Sequence, residues 1–244
     1  MTGEFIEKKL DEMDIKNEFI KIQDDTRINV KLKCEKETEI NASGPKISSK
    51  EREEFLQKIE SLNSDDVLIL SGSVPKSLGD NFYKEIIEIV HKKGVRFSID
   101  TASKEVFDIL KYHPILIKPN LDELKLMFDI KQDISVKDIV ELGRKLIDKG
   151  AQAVIISMGA KGSIYVSRDN SFMAKPISGK LVSSVGSGDS MVGAYVYARQ
   201  NNESELNSYK LAVAASVATA FNEDIANRNE IYEILNRVEV VDAN

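Results

Sequence analysis

The chain has 244 residues, enough for one large α/β domain or two small ones, and its 42% hydrophobic and 30% charged residues are an ordinary globular balance with ample core. Lys and Arg number 34 against 40 Asp and Glu, and the net charge of −6 without any basic block argues against nucleic acid as a partner. Cys34 is the only cysteine, which excludes an intrachain disulfide and a cysteine-rich metal site, and the two histidines, His91 and His113, are far apart in sequence.

The first 15 residues read as an amphipathic helix, with Phe5, Ile6, Leu10 and Met13 apolar, and not as a secretory leader. Residues 18–23 (EFIKIQ) are expected to form a short strand. Residues 27–34 (RINVKLKC) alternate strictly: Ile28, Val30, Leu32 and Cys34 share one face, and Arg27, Asn29, Lys31 and Lys33 the other. That pattern predicts a strand with one covered and one polar face, pairing as a hairpin with 37–41 (ETEIN). A cationic strand face is either a solvated surface or a lid over an anionic ligand.

From residue 48 the pattern changes. Ser48 or Ser49 caps a predicted helix running to about residue 62. The continuous apolar run 67–70 (VLIL) predicts a central parallel strand buried on both faces. Helices over 80–93, 103–111, from 121, and over 136–149 then alternate with strands over 95–100, 114–118 and 153–157. This alternation implies right-handed βαβ units and a parallel sheet covered by helices. A hairpin follows over 162–166 and 171–174, then a glycine-containing turn opening a helix near Gly188, and two closing helices over 204–222 and 228–238. The apolar run 211–221 is too short and too rich in Ala, Ser and Thr to span a membrane. A cytoplasmic protein is the expectation.

Ligands of open α/β sheets sit beyond the carboxyl ends of the strands, and the polar residues of this chain gather there. They are Ser71-Gly72-Ser73, Asp100-Thr101, Lys118-Pro119-Asn120 with Glu123 one turn on, Ser157 to Gly162, and Gly186 to Asp189. Each alone reads equally as a turn or a helix cap. Together they supply an anion-binding helix start, a carboxylate at its mouth, a cation, and an Asn/Glu pair able to order a hydrated metal. That is the inventory of phosphoryl transfer. No Gly-x-Gly-x-x-Gly follows an early strand, so a dinucleotide-binding dehydrogenase is disfavoured.

The segment Ser184-Val185-Gly186-Ser187-Gly188-Asp189-Ser190-Met191-Val192, with KPNLDEL from Lys118 and SMGAKG from Ser157, resembles the PfkB branch of the ribokinase-like sugar kinases over essentially the whole chain. The resemblance implies a three-layer α/β/α fold with a mostly parallel central sheet and a small β lid at about 18–42, in one domain over 1–244. Within the family, TRINVKL (26–32), ETEIN and ATAFNEDIA (218–226) are most similar to the branch that phosphorylates fructose 1-phosphate on its C6 hydroxyl, with tagatose-6-phosphate kinases next. By resemblance, Asp189 is the base, and the N–H groups of Gly186, Ser187 and Gly188 form the anion hole. Lys118, Asn120, Ser157, Gly159 and Gly162 bind ATP. Asn120 and Glu123 hold Mg²⁺ through its water shell, and Arg27 with Ser73 binds the sugar's own phosphate. A homodimer through the lid, and no nucleic acid or membrane partner, complete the expectation.

Three features depart from the family pattern. The first strand and the glycine-pair loop that grip the sugar are absent, so the chain is expected to begin inside the fold, and a nucleotide-binding remnant with little kinase activity is the alternative of another class. Ser103 stands where a glycine is frequent, and Gly193-Ala194 reverses a more usual order.

Overall fold

The computed structural model describes residues 2–33, 37–100 and 106–243. Its chain separates into two compact units, Met1–Ser64 with Ser73–Gly94, and Asp65–Gly72 with Val95–Asn244.

The first unit carries α1 (Thr2–Glu12), an antiparallel hairpin of β1 (Asn29–Lys33) and β2 (Glu37–Asn41), α2 (Ser49–Ser61) and α3 (Phe82–Lys92). Helix α2 starts where the sequence predicts, because the Ser48 hydroxyl accepts from the Glu51 N–H while the Glu51 carboxylate accepts from the Ser48 N–H. It packs on α3 through Phe55 and Phe82, whose ring centroids lie 5.7 Å apart, and through the Arg52–Glu85 ion pair. The predicted strand over 18–23 does not form. These residues are irregular, since no strand among the described residues accepts their backbone groups. In the hairpin Val30 lies opposite Ile40. Its apolar face is uncovered, with Ile28, Val30, Leu32 and Ile40 all between 41% and 63% exposed. Cys34, expected on this face, falls outside the described residues.

The second unit is built on a seven-stranded sheet of β3 (Val67–Ser71), β4 (Arg96–Asp100), β5 (Leu116–Ile117), β6 (Ala153–Ser157), β7 (Ser163–Ser167), β8 (Ser171–Ala174) and β9 (Val240–Asp242), in that order. Strands β3 to β6 are parallel; β7, β8 and β9 continue antiparallel, so five of the seven strands share one direction. Strand β3 was expected at the sheet's centre. Among the described residues it is an edge strand with β4 as its single sheet neighbour, and Ile69 is 40% exposed. The short β9 carries no pattern long enough to predict; it forms by pairing with β8.

Helices cover both faces of this sheet: α4 (Val106–Ile109), α5 (Leu121–Met127), α6 (Val136–Asp148), α7 (Ser187–Gln200), α8 (Glu205–Phe221) and α9 (Arg228–Leu235). Adjacent residues of β7 show the layering, since neighbours on a strand point to opposite faces. Tyr165 packs against Tyr195 of α7 and Tyr209 of α8, whereas Val166 touches Gly143 of α6. The buried tyrosines are satisfied: Tyr209 Oη donates to the Ser163 carbonyl at 2.6 Å and accepts from the Ala174 N–H at 3.0 Å. Burial pushes the Tyr165, Tyr195 and Tyr209 hydroxyls up, which keeps them neutral donors. Among the described residues no helix is long and apolar enough to cross a membrane.

Candidate active site

The parallel strands deliver their last residues to one edge of the sheet. Ser71 lies opposite Asp100 at the ends of β3 and β4. Ile99 lies opposite Ile117, so Asp100 and Lys118 emerge side by side. Asn120 bridges to Ser157 at the end of β6.

Helix α7 begins at this edge. Gly186 caps it in the left-handed region at φ 76°, and Ser190 N–H donates to the Gly186 carbonyl at 2.8 Å as the first helical bond. The N–H groups of the first turn have no acceptor within the helix, and they carry the positive end of its dipole. Asp189, exposed in that turn, accepts a 2.6 Å hydrogen bond on Oδ1 from the Ser71 hydroxyl. Lys118, whose side chain is only 9% exposed, pairs with Asp100 at 3.3 Å. A β-carbon added to Gly188 would sit 3.1 Å from Lys118 Nζ, so glycine lets the ammonium come right up to the helix start.

Asn120 caps α5. Its side chain accepts from the Glu123 N–H, and Glu123 Oε2 accepts from the Asn120 N–H, both at 2.8 Å. The second Glu123 oxygen has no part in this box. After β6, Met158 N–H donates to the Gly162 carbonyl at 2.9 Å, closing a turn with Gly159 at φ 57° and Gly162 at φ 88°.

Charge at the edge is predominantly negative. Burial pushes the Asp100 carboxyl up, the Lys118 ammonium opposes that, and the charges of Asp189 and Glu123 add to the rise. Three carboxylates within electrostatic range of one ammonium suit a site that receives a further cation. Among the described residues no group of three or more His, Cys, Asp or Glu is arranged to hold a metal directly.

In the first unit, Arg27 Nη1 donates to Ser73 Oγ at 2.5 Å, so the two residues predicted to bind the sugar's phosphate meet. Two residues of the edge, Ser71 and Asp100, were placed among the strand ends from sequence but given no role. Ser71 and Asp100 end consecutive strands, and that strand-end position was the available signal. The pairing of Asp100 with Lys118 follows from the register of β4 and β5, and that of Ser71 with Asp189 from where α7 begins; no local pattern specifies either.

At the carboxyl edge of an α/β sheet, the structure thus presents an exposed carboxylate in the first turn of a helix, beside N–H groups that have no acceptor within that helix. The family model described as pfkB family carbohydrate kinase matches residues 1–230, and the chain belongs to that family. It is 40% identical over 243 residues to the 1-phosphofructokinase of Borreliella burgdorferi, spanning 99% of this chain and 78% of that protein. It is 31% identical over 239 residues to the D-tagatose-1-phosphate kinase of Bacillus licheniformis, spanning 98% of this chain and 79% of that protein. A crystal structure of a phosphofructokinase candidate from Staphylococcus aureus superposes with a TM-score of 0.86 at 42% identity, over 99% of this chain and 79% of that one.

Proposed function

We propose that the chain transfers the γ-phosphoryl group of ATP to the C6 hydroxyl of fructose 1-phosphate, giving fructose 1,6-bisphosphate and ADP. The similarity to a 1-phosphofructokinase supports the substrate. The observation that carries the chemistry is the exposed Asp189 carboxylate in the first turn of α7. Asp189 takes the hydroxyl proton as the sugar oxygen attacks phosphorus and the bond to the ADP oxygen breaks. The N–H groups of Gly186, Ser187 and Gly188 stabilise the charge on the transferring group, and Lys118 faces the nucleotide phosphates. Ser157, Gly159 and Gly162 line the nucleotide site, and Arg27 with Ser73 holds the sugar's own phosphate.

Asn120 and Glu123 would hold Mg²⁺ through water; when bound, it neutralises phosphate charge. The uncovered apolar face of the β1–β2 hairpin supports pairing of the lid with a second copy of the chain.

An ATP-coupled assay tests the reading with fructose 1-phosphate, tagatose 1-phosphate, tagatose 6-phosphate and fructose 6-phosphate. The highest kcat/KM is expected for fructose 1-phosphate, and turnover of none of the four overturns it. Tagatose 1-phosphate is the second reading, favoured by the similarity to a tagatose-1-phosphate kinase. It presents the same C6 hydroxyl and differs only at C4, so preference for it would move the specificity and keep the roles.

A further inference from the structure

Ser71 carries no role in the reading above, yet its hydroxyl donates a 2.6 Å hydrogen bond to Asp189 Oδ1 across 118 residues of sequence. We propose that Ser71 is the positioning residue of the Asp189 carboxylate, fixing which oxygen takes the substrate's proton. The inference rests on Asp189 being the base.

An ionised carboxylate is acceptor-only, so the hydroxyl of Ser71 is necessarily the donor. Such a charge-assisted bond is strong and directional. With Oδ1 engaged by Ser71, Oδ2 is the oxygen presented for the proton. The sugar O–H bond breaks as Oδ2–H forms, the freed oxygen electron pair attacks the γ-phosphorus, and ADP departs with the electrons of the bond that breaks.

The backbone at both ends of the hydrogen bond is held. Ser71 closes β3 and is paired in register with Asp100. Asp189 stands in α7, whose first turn is closed by the bond from Ser190 N–H to the Gly186 carbonyl. An aspartate side chain has two rotatable bonds, so without a partner its carboxylate turns among several orientations. Adjacent strand ends thus divide the work: Ser71 holds the base, and Asp100, beside it, holds the Lys118 ammonium.

The test compares Ser71→Ala, Ser71→Thr and Asp189→Asn in the full chain with ATP and fructose 1-phosphate. Calorimetry of each ligand and thermal melting accompany the kinetics. Ser71→Ala is expected to lower kcat by roughly 10- to 100-fold, the scale of a misoriented reacting group, while ligand affinities and the melting temperature stay near wild type. Ser71→Thr, which keeps the hydroxyl, is expected to recover most of kcat.

Wild-type kcat in Ser71→Ala beside an inactive Asp189→Asn overturns the positioning role and leaves the base assignment standing. A loss confined to KM or to ligand affinity also overturns it, since Ser71 would then act in binding. Loss of kcat in Ser71→Thr equal to that in Ser71→Ala, with both folded, overturns it as well. Near-wild-type turnover by Asp189→Asn instead overturns the reading on which the inference rests.

Discussion

At the residue scale, the site depends on how closely a few side chains approach α7. Asp189→Asn keeps the shape of the side chain and removes its basicity, so kcat is expected to fall by about 10²–10⁴-fold with ATP affinity nearly unchanged, as steady-state kinetics and calorimetry would report. Gly188→Ala tests the approach of Lys118. The new β-carbon would stand 3.1 Å from Nζ, and the flexible lysine is the partner that yields. At least about a tenfold loss of kcat is expected as the ammonium is displaced, with little change in melting temperature. An unchanged kcat would show that the position of Lys118 beside the helix start does not matter. Asp189 is legible in the sequence because Gly-Ser-Gly-Asp opens a helical run. Lys118 is legible as a charged residue at a strand end. Asp100 reads from sequence as a turn residue, and only the parallel register of β4 and β5 reveals it as the partner of Lys118.

At the scale of elements, helix starts are written locally and the sheet is not. Ser48, Asn120 and Ser135 each form a reciprocal capping box with the residue three positions on. In the α6 box the Ser135 hydroxyl and N–H both donate to the Asp138 carboxylate, holding its pKa below the ordinary value of 3.8. A carboxyl lowered on folding adds stability above its ordinary pKa, and that stability is lost as pH falls through the lowered value. Ser135→Ala should therefore reduce the melting temperature by about 2–4 °C near neutrality, and the gap to wild type should narrow as pH drops below 3.8. A gap that widens on acidification would contradict the charge-assisted cap. Helices with such caps, and the strands alternating with them, were readable in order, although the strand predicted over 114–118 forms only at Leu116–Ile117. The strand predicted over 18–23 failed because a strand exists only with a neighbour. The central position assigned to β3 failed because four apolar residues in a row say nothing about how many neighbours they have.

At the scale of the whole molecule, family membership fixes the class of chemistry, and assembly is testable by mass. If the lid pairs with a second copy, Val30→Lys puts a charge into the apolar face of the hairpin, and sedimentation velocity should show monomer where the unaltered chain shows dimer. A monomer in both cases, at the concentrations used for kinetics, would dismiss the lid dimer. The alternating pattern over 27–34 foretold an apolar face, but an isolated strand pattern cannot say what covers that face. The edge position of β3 among the described residues has a consequence for how this chain fails. An edge strand has ladder bonds on one side only, and such elements open in sub-global fluctuations well below the free energy of complete unfolding. Each opening of β3 would carry Ser71 away from Asp189 while the tyrosine-rich core between the sheet, α7 and α8 stayed intact. Catalytic competence would then melt before the protein does, and amides of β3 would exchange with deuterated solvent faster than those of β6 and β7 as the first sign of it.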